Sequence, residues 1–126
     1  MNSLSAFLSI LFEARKQAHI YHLQVKGLGS YAAHKALNEF YDGLLDLIDG
    51  LAESAQGKYG IITGYTNAFE VKDLNNIQDA LLFVQELAIL VETERATIPQ
   101  DSYIQNQIDE LVALLYSTVY KLQNLQ

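Results

Sequence analysis

The chain contains no cysteine. Disulfides and thiolate metal sites are therefore excluded, and any metal must be held by oxygen and imidazole nitrogen. A cysteine-free chain is compatible with a reducing cytosol, and cytoplasmic placement is the expectation. There is one proline and there are only 7 glycines in 126 residues. So few breakers suit long helices better than many short strands. Basic residues are scarce: 8 Lys and Arg stand against 15 Asp and Glu, for a net charge of −7. That balance argues against a general affinity for nucleic acid, which rests on neutralising phosphates. No apolar run reaches the ~18 residues of a membrane span. The N-terminal run MNSLSAFLSILFEARK has no basic stretch before it and no small-residue cleavage site after it, so no signal peptide is expected.

Half of the residues are hydrophobic, and they are arranged with helical periodicity. The length suits a single domain over residues 1–126 with one core. The first helix is expected from about Ser3 to Val25. Leu4, Phe7, Leu8, Leu11, Ala14, Ala18 and Tyr21 form its inner stripe. Lys26-Gly27-Leu28-Gly29 breaks it, and Ser30 is placed to cap a second helix to about Gln56. Gly57 and Gly60 should stop that helix.

Residues 57–75 form the longest connection, irregular and rich in glycine and aromatics, with Tyr59 and Tyr65 expected to pack on the helices. A third helix starts near Asn75 or Asn76. It buries Ile77, Leu81, Val84, Ala88 and Val91, and ends before Pro99. The fourth begins at Ser102, where Ser102 and Gln105 have capping-box spacing, and its stripe runs from Ile104 through Ile108, Leu111, Leu115 and Val119 to Leu122. Two helical hairpins joined by one longer crossover, between helices two and three, predict an all-α four-helix bundle. No internal repeat is present.

The apolar supply exceeds one stripe per helix. Leu44, Leu45, Leu47, Ile48 and Leu51 nearly encircle the second helix, and Leu81, Leu82, Phe83, Val84 and Leu87 the third. Such width predicts subunit contacts.

Chemistry-bearing residues gather in the first half. His19 and His22 share one side of the first helix. On the second, His34, Asn38, Asp42, Asp49 and Glu53 fall on one long face. His34 and Asp49 are ~22 Å apart along that helix, so they cannot hold one ion. Either the face is a solvated polar stripe, or a second, antiparallel copy in a two-fold dimer brings the His34 end to the Asp49–Glu53 end. A di-metal site within one bundle takes Glu-x-x-His pairs from two helices. The chain has no Glu-x-x-His, and so no such site is predicted.

The segment His22-Leu-Gln-Val-Lys-Gly27, with a second histidine, His34, twelve residues after the first, resembles the signature of the Dps family of mini-ferritins. Asp49-Gly-Leu-Ala-Glu53 stands fifteen residues past His34, matching that family's Asp-x-x-Ala-Glu motif and spacing. The likeness covers about the first 55 residues. Tyr31-Ala-x-His-Lys-Ala-Leu37 and Gln56-Gly-Lys-Tyr-Gly-Ile61 are also similar to short Dps-like proteins of tailed bacteriophages.

The resemblance implies a ferritin-like bundle that forms two-fold dimers and a hollow dodecamer. It implies a ferroxidase that oxidises ferrous iron, commonly with hydrogen peroxide, and stores ferric mineral. Carried over, His22 binds iron together with Asp49 and Glu53 of the two-fold mate, while His34 orients a water or binds a second iron. Zinc suits the same ligands without redox chemistry. Leu23 and Gln24 replace the family's Trp and Asn, and Asn38 stands where the family has an acid. A neutral amide is the weaker ligand for a hard cation, which weakens the second position. Asp42 and His19 are possible substitutes, and Glu39, Asp42 and Asp46 are candidate acids for an inner, mineral-facing surface. The family's lysine-rich tail is missing, which with the net charge of −7 argues against tail-mediated DNA binding. The competing implication is a Dps-like assembly or interaction protein that has lost the chemistry.

Overall fold

A computed structural model describes residues 2–125. Four helices account for most of them: α1 (Asn2–Gln24), α2 (Ser30–Tyr59), α3 (Gln78–Glu94) and α4 (Ser102–Asn124), with a short 3-10 turn at Arg95–Thr97. The expected bounds hold to within a few residues. α2 runs one turn past Gln56 because Gly57 alone does not break a helix. It ends at Gly60, whose φ of 93° and ψ of 173° suit glycine and little else.

The helix starts differ from the sequence reading. Ser30 is the first residue of α2, not its cap; Gly29 holds that place in the left-handed region with no side-chain bond. Ser102 likewise opens α4 behind Asp101. Gln105 does not close a capping box, because its amide reaches back to the carbonyls of Arg95 (3.2 Å) and Pro99 (3.1 Å). At α3 the reciprocal arrangement is made by Asn76 and Asp79. Asn76 Oδ1 accepts from the Gln78 amide, and the Asp79 carboxylate accepts from the amides of Asn75 and Asn76.

α1 packs on α2, α2 on α4 and α4 on α3, while α1 and α3 touch much less closely. Side-chain bonds set the directions. The end of α2 meets the start of α4 through Lys58 and Asp101 (3.0 Å), and Lys121 near the end of α4 reaches Glu39 near the start of α2 (2.9 Å). All neighbouring helices therefore run antiparallel, with α2 and α3 parallel across the bundle. That arrangement requires one long crossover. All seven residues of the expected α1 stripe are buried, as are Val84, Ala88 and Val91 of α3 and Ile104, Ile108, Leu111 and Leu115 of α4. With Leu37, Phe40, Leu44, Ile48 and Leu51 of α2 they form one core. Each buried Leu, Ile, Val or Phe among them contributes about 1.5–3 kcal/mol by leaving water.

The crossover is irregular, as its composition predicts, but it is not loose. It runs along α1 from beginning to end. Ser9 Oγ accepts from the Thr66 amide at 3.0 Å. Gln17 clasps the backbone of Lys72 in both directions, at 2.9 Å and 2.7 Å. Gln24 accepts from the Leu74 amide at 2.8 Å and donates to Asp73 at 2.9 Å. The strap fills the gap between α1 and α3 that the helices leave open. Tyr59 bonds to Asp101, and Tyr65 sets its ring edge against Phe12; both rings stay nearly half exposed.

Among the described residues no helix is long and apolar enough to cross a membrane.

Candidate functional site

The end of α1 and the start of α2 are joined by a five-residue turn, Val25–Gly29, so their polar faces meet at one corner. His19 and His22 project from α1, and His34, Asn38, Tyr41 and Asp42 from α2. The His22 and His34 rings stack with centroids 3.8 Å apart and planes 24° apart. The His19 ring stacks on Tyr41 at 4.4 Å, and Tyr41 stands edge-on to His22 at 5.2 Å. Four aromatic rings thus form one continuous contact.

The hydrogen bonds fix how these rings present themselves. His34 Nδ1–H donates to the His22 carbonyl oxygen at 2.9 Å, since a carbonyl can only accept. Neutral His34 therefore carries its lone pair on Nε2, on an exposed residue. A ring nitrogen bonded to a backbone carbonyl is the usual support of a metal-binding imidazole, because it sets both tautomer and orientation. His22 is the opposite case. It is 8% exposed and its Nδ1 has no hydrogen-bond partner. The His19 carbonyl, one turn back, favours the protonated ring without reaching bonding geometry. Burial lowers the His22 pKa first, and the neighbouring His34 and His19 lower it further. A neutral imidazole with an uncommitted nitrogen is the form that binds metals.

Asn38 is committed elsewhere. Its Oδ1 accepts from the Tyr41 hydroxyl at 2.6 Å, and its Nδ2 donates to Asp42 at 3.4 Å. Arg15 adds a positive charge 5.8 Å from the Tyr41 ring centroid and donates to the Tyr41 carbonyl at 3.1 Å. Neither Tyr41 nor Arg15 was signalled by the metal-ligand pattern. The i, i+3 spacing of Asn38 and Tyr41 is the only trace of that bond in the sequence.

The structure brings His19, His22, His34 and Asn38 together, and leaves Asp49 and Glu53 far along α2. Both acids are exposed, with no ion pair among the described residues. They are one turn apart on the same side, ~6 Å along the axis. Among the described residues no three His, Asp or Glu side chains converge on a point that could hold a metal within one chain. Stacking explains this for the histidines. Lone pairs lie in the ring planes, so two face-to-face rings aim theirs side by side rather than at a common centre. Of the other acids proposed for an inner surface, Glu39 is engaged by Lys121, which lowers its pKa by a hydrogen bond and by charge. Asp46 is exposed with no partner among the described residues.

The fold and this corner define an all-helical bundle with a histidine-rich junction and a separate acidic face. Residues 22–122 match a protein family described as a family of unknown function, DUF5856, and the chain belongs to that family. The matched span includes His22, His34, Asp49 and Glu53. No curated protein matches the chain, and no solved structure matches it.

Proposed function

We propose that the chain is a ferritin-like, Dps-like subunit that takes ferrous iron as its substrate at a site shared between two copies, oxidises it and retains the ferric product in an oligomeric cage. The observation that carries this reading is the complementary incompleteness of the two ends of α2. One end holds uncommitted imidazole nitrogens on His22 and His34 without an acid pair. The other holds Asp49 and Glu53 without a cation. An antiparallel second copy, related by a two-fold axis, would supply each end with what it lacks. The antiparallel packing with a single crossover supports the ferritin-like assignment, since that is the connectivity of such bundles.

In this reading, imidazole nitrogen from one copy and carboxylate oxygen from the other receive the ferrous ion, a donor set suited to it. The carboxylates favour the ferric state because its higher charge gains more from them. Each ferrous ion gives up one electron. Two such electrons and two protons convert hydrogen peroxide to two waters. His22, neutral and largely shielded from water, does not compete for its lone pair with a proton at neutral pH. Asp42 and Asp46 are candidate acids for an inner surface toward which ferric ions would leave. Zinc would occupy the same ligands and block oxidation.

Asp49→Ala with Glu53→Ala tests the assignment. Rapid ferrous oxidation should be abolished while helix content by circular dichroism stays unchanged, because both side chains are exposed. Equal oxidation rates in variant and wild type would overturn it.

A second reading has its own supporting observation. Asn38 is held by Tyr41 and Asp42, and His34 lies flat on His22. A corner packed in this way also suits a Dps-like assembly protein without chemistry. A cage that forms but never loads iron would identify it.

A further inference from the structure

The broad apolar girdle of α3 is only partly used by the core. Ala80, Val84, Leu87, Ala88 and Val91 are buried, but Leu82 is 53% exposed and Leu90 37%. With Asp79, Phe83 and Glu86 these two residues form a stripe at i, i+3, i+4, i+7 and i+11. The stripe lines one wall of a groove of about 540 Å³. The crossover supplies the opposite wall, and Tyr21 of α1 lies in the floor. Tyr21 and Phe69 flank Phe83 at 5.8 and 6.4 Å, giving an aromatic base.

Charge surrounds this floor on one side of neutrality. Glu70, Asp73, Asp79 and Glu86 line the groove, against Lys72 alone. Glu70 and Glu86 have no ion pair or hydrogen bond among the described residues, so their charge is uncompensated. From Asp79 to Leu90 the groove extends ~16 Å, at ~1.5 Å per residue. That length and volume make a channel too narrow for a whole helix, yet wide enough for a row of its side chains. A second copy of this chain is disfavoured as occupant across a two-fold axis, since it would set acidic rim against acidic rim.

We propose that this groove receives an amphipathic helix of a partner protein, with apolar anchors at i, i+3 or i+4, and i+7 flanked by Lys or Arg. The anchors seat on Leu82, Phe83 and Leu90, and the basic side chains pair with Glu70 and Glu86. This mode of recognition buries an apolar stripe and draws its selectivity from the charged rim. The inference stands apart from the iron reading, because none of its residues belongs to the histidine corner or the acid pair.

The test uses the full chain and a fluorescein-labelled helical peptide of leucine and lysine in amphipathic order, read by fluorescence anisotropy. Saturable binding is expected, weakened as salt rises from ~0.05 to ~0.5 M. Leu82→Ser with Leu90→Ser should weaken it roughly tenfold, as for loss of two interface anchors. Glu70→Gln with Glu86→Gln should weaken it less and flatten its salt dependence. Asp46→Asn, on the far face of α2, should leave it unchanged. A scrambled peptide of the same composition should bind at least tenfold more weakly. Equal affinity for the scrambled peptide, or equal loss in the Asp46 variant, would reduce the effect to general charge attraction and overturn the proposal. Dissociation of a native oligomer by the Leu82 and Leu90 changes would overturn it in favour of a second copy as occupant.

Discussion

The His34 ring lies on the His22 ring at 3.8 Å and donates its Nδ1 proton to the carbonyl oxygen of that same residue. The end of α1 is thereby closed by a side chain of α2, since this carbonyl is one of those that α1 itself cannot satisfy. The same contact stacks two titratable rings, which cannot both become charged without repelling.

Stability should therefore depend on pH through His22. Its folded pKa lies below the ordinary 6.5, from burial first and then from His34 and His19. Between 6.5 and that lowered value the unfolded chain binds the extra proton and the folded chain does not. Stability is thus full above this window and falls as pH drops through it. Thermal melts of metal-free protein from pH 8 to pH 5 should show a declining midpoint below about 6.5. His34→Gln should flatten that decline by removing one charge from the stack. A midpoint that rises on acidification would contradict the sign.

Asp101 provides the opposite case. Its carboxylate accepts from Tyr59 at 2.6 Å and from Lys58 at 3.0 Å, and these bonds hold its pKa down to about 2. A depressed carboxylate pKa adds stability that is present above 3.8 and is lost as pH falls from there towards about 2. Acid unfolding followed by circular dichroism should begin at higher pH in the Tyr59→Phe variant than in the wild type. Asp101→Asn should remove this component of the acid transition. Unchanged acid profiles in both variants would show that the end of α2 and the start of α4 are not coupled through this group.

Much of the fold was legible in the sequence. The inner stripes of α1 and α4 and the crossover length follow from periodicity and breakers alone; the structure buries all of the α1 stripe and the α4 stripe from Ile104 to Leu115, while Val119 and Leu122 are only partly buried against the core. The caps were less legible. Ser30 and Ser102 have the right chemistry, but the cap falls one residue earlier, where Gly29 takes a positive φ and Asp101 precedes α4. Leu45 and Leu82 read as part of encircling apolar girdles and are exposed, yet Leu47 and Phe83 pack against the core, so the exposed surplus is narrower than composition suggests; Ile77 and Leu81, expected inside, are only partly buried. The histidine corner was visible as three residues near a helix junction. Its stacking was not, because ring orientation depends on Tyr41 and on the His22 carbonyl rather than on spacing.

Gln17 was invisible as an anchor, since a glutamine inside a helix carries no pattern. It is 2% exposed and makes both of its hydrogen bonds to Lys72 backbone. Gln17→Leu should leave that amide and carbonyl without partners and cost about 2–4 kcal/mol, two bonds with their desolvation. Chemical denaturation gives the stability change, and hydrogen exchange at the Lys72 amide should accelerate more than at core amides of α4. A loss below about 0.5 kcal/mol would mean that water replaces the clasp.

The shared site makes a prediction that a site within one chain cannot imitate. One variant loses its imidazoles (His22→Ala, His34→Ala) and another its acids (Asp49→Ala, Glu53→Ala), so each alone should be inactive. In a mixed two-fold dimer, one junction joins the intact imidazoles of the second variant to the intact acids of the first. The other junction joins both defects. Equal mixing after dissociation should therefore restore about a quarter of wild-type ferrous oxidation, as half of the dimers are mixed and half of their sites are whole. Mixing without dissociation should restore none. If mixing restores nothing although mass spectrometry shows mixed dimers, the two ends of α2 do not meet across the axis, and the acids belong to the solvated face alone.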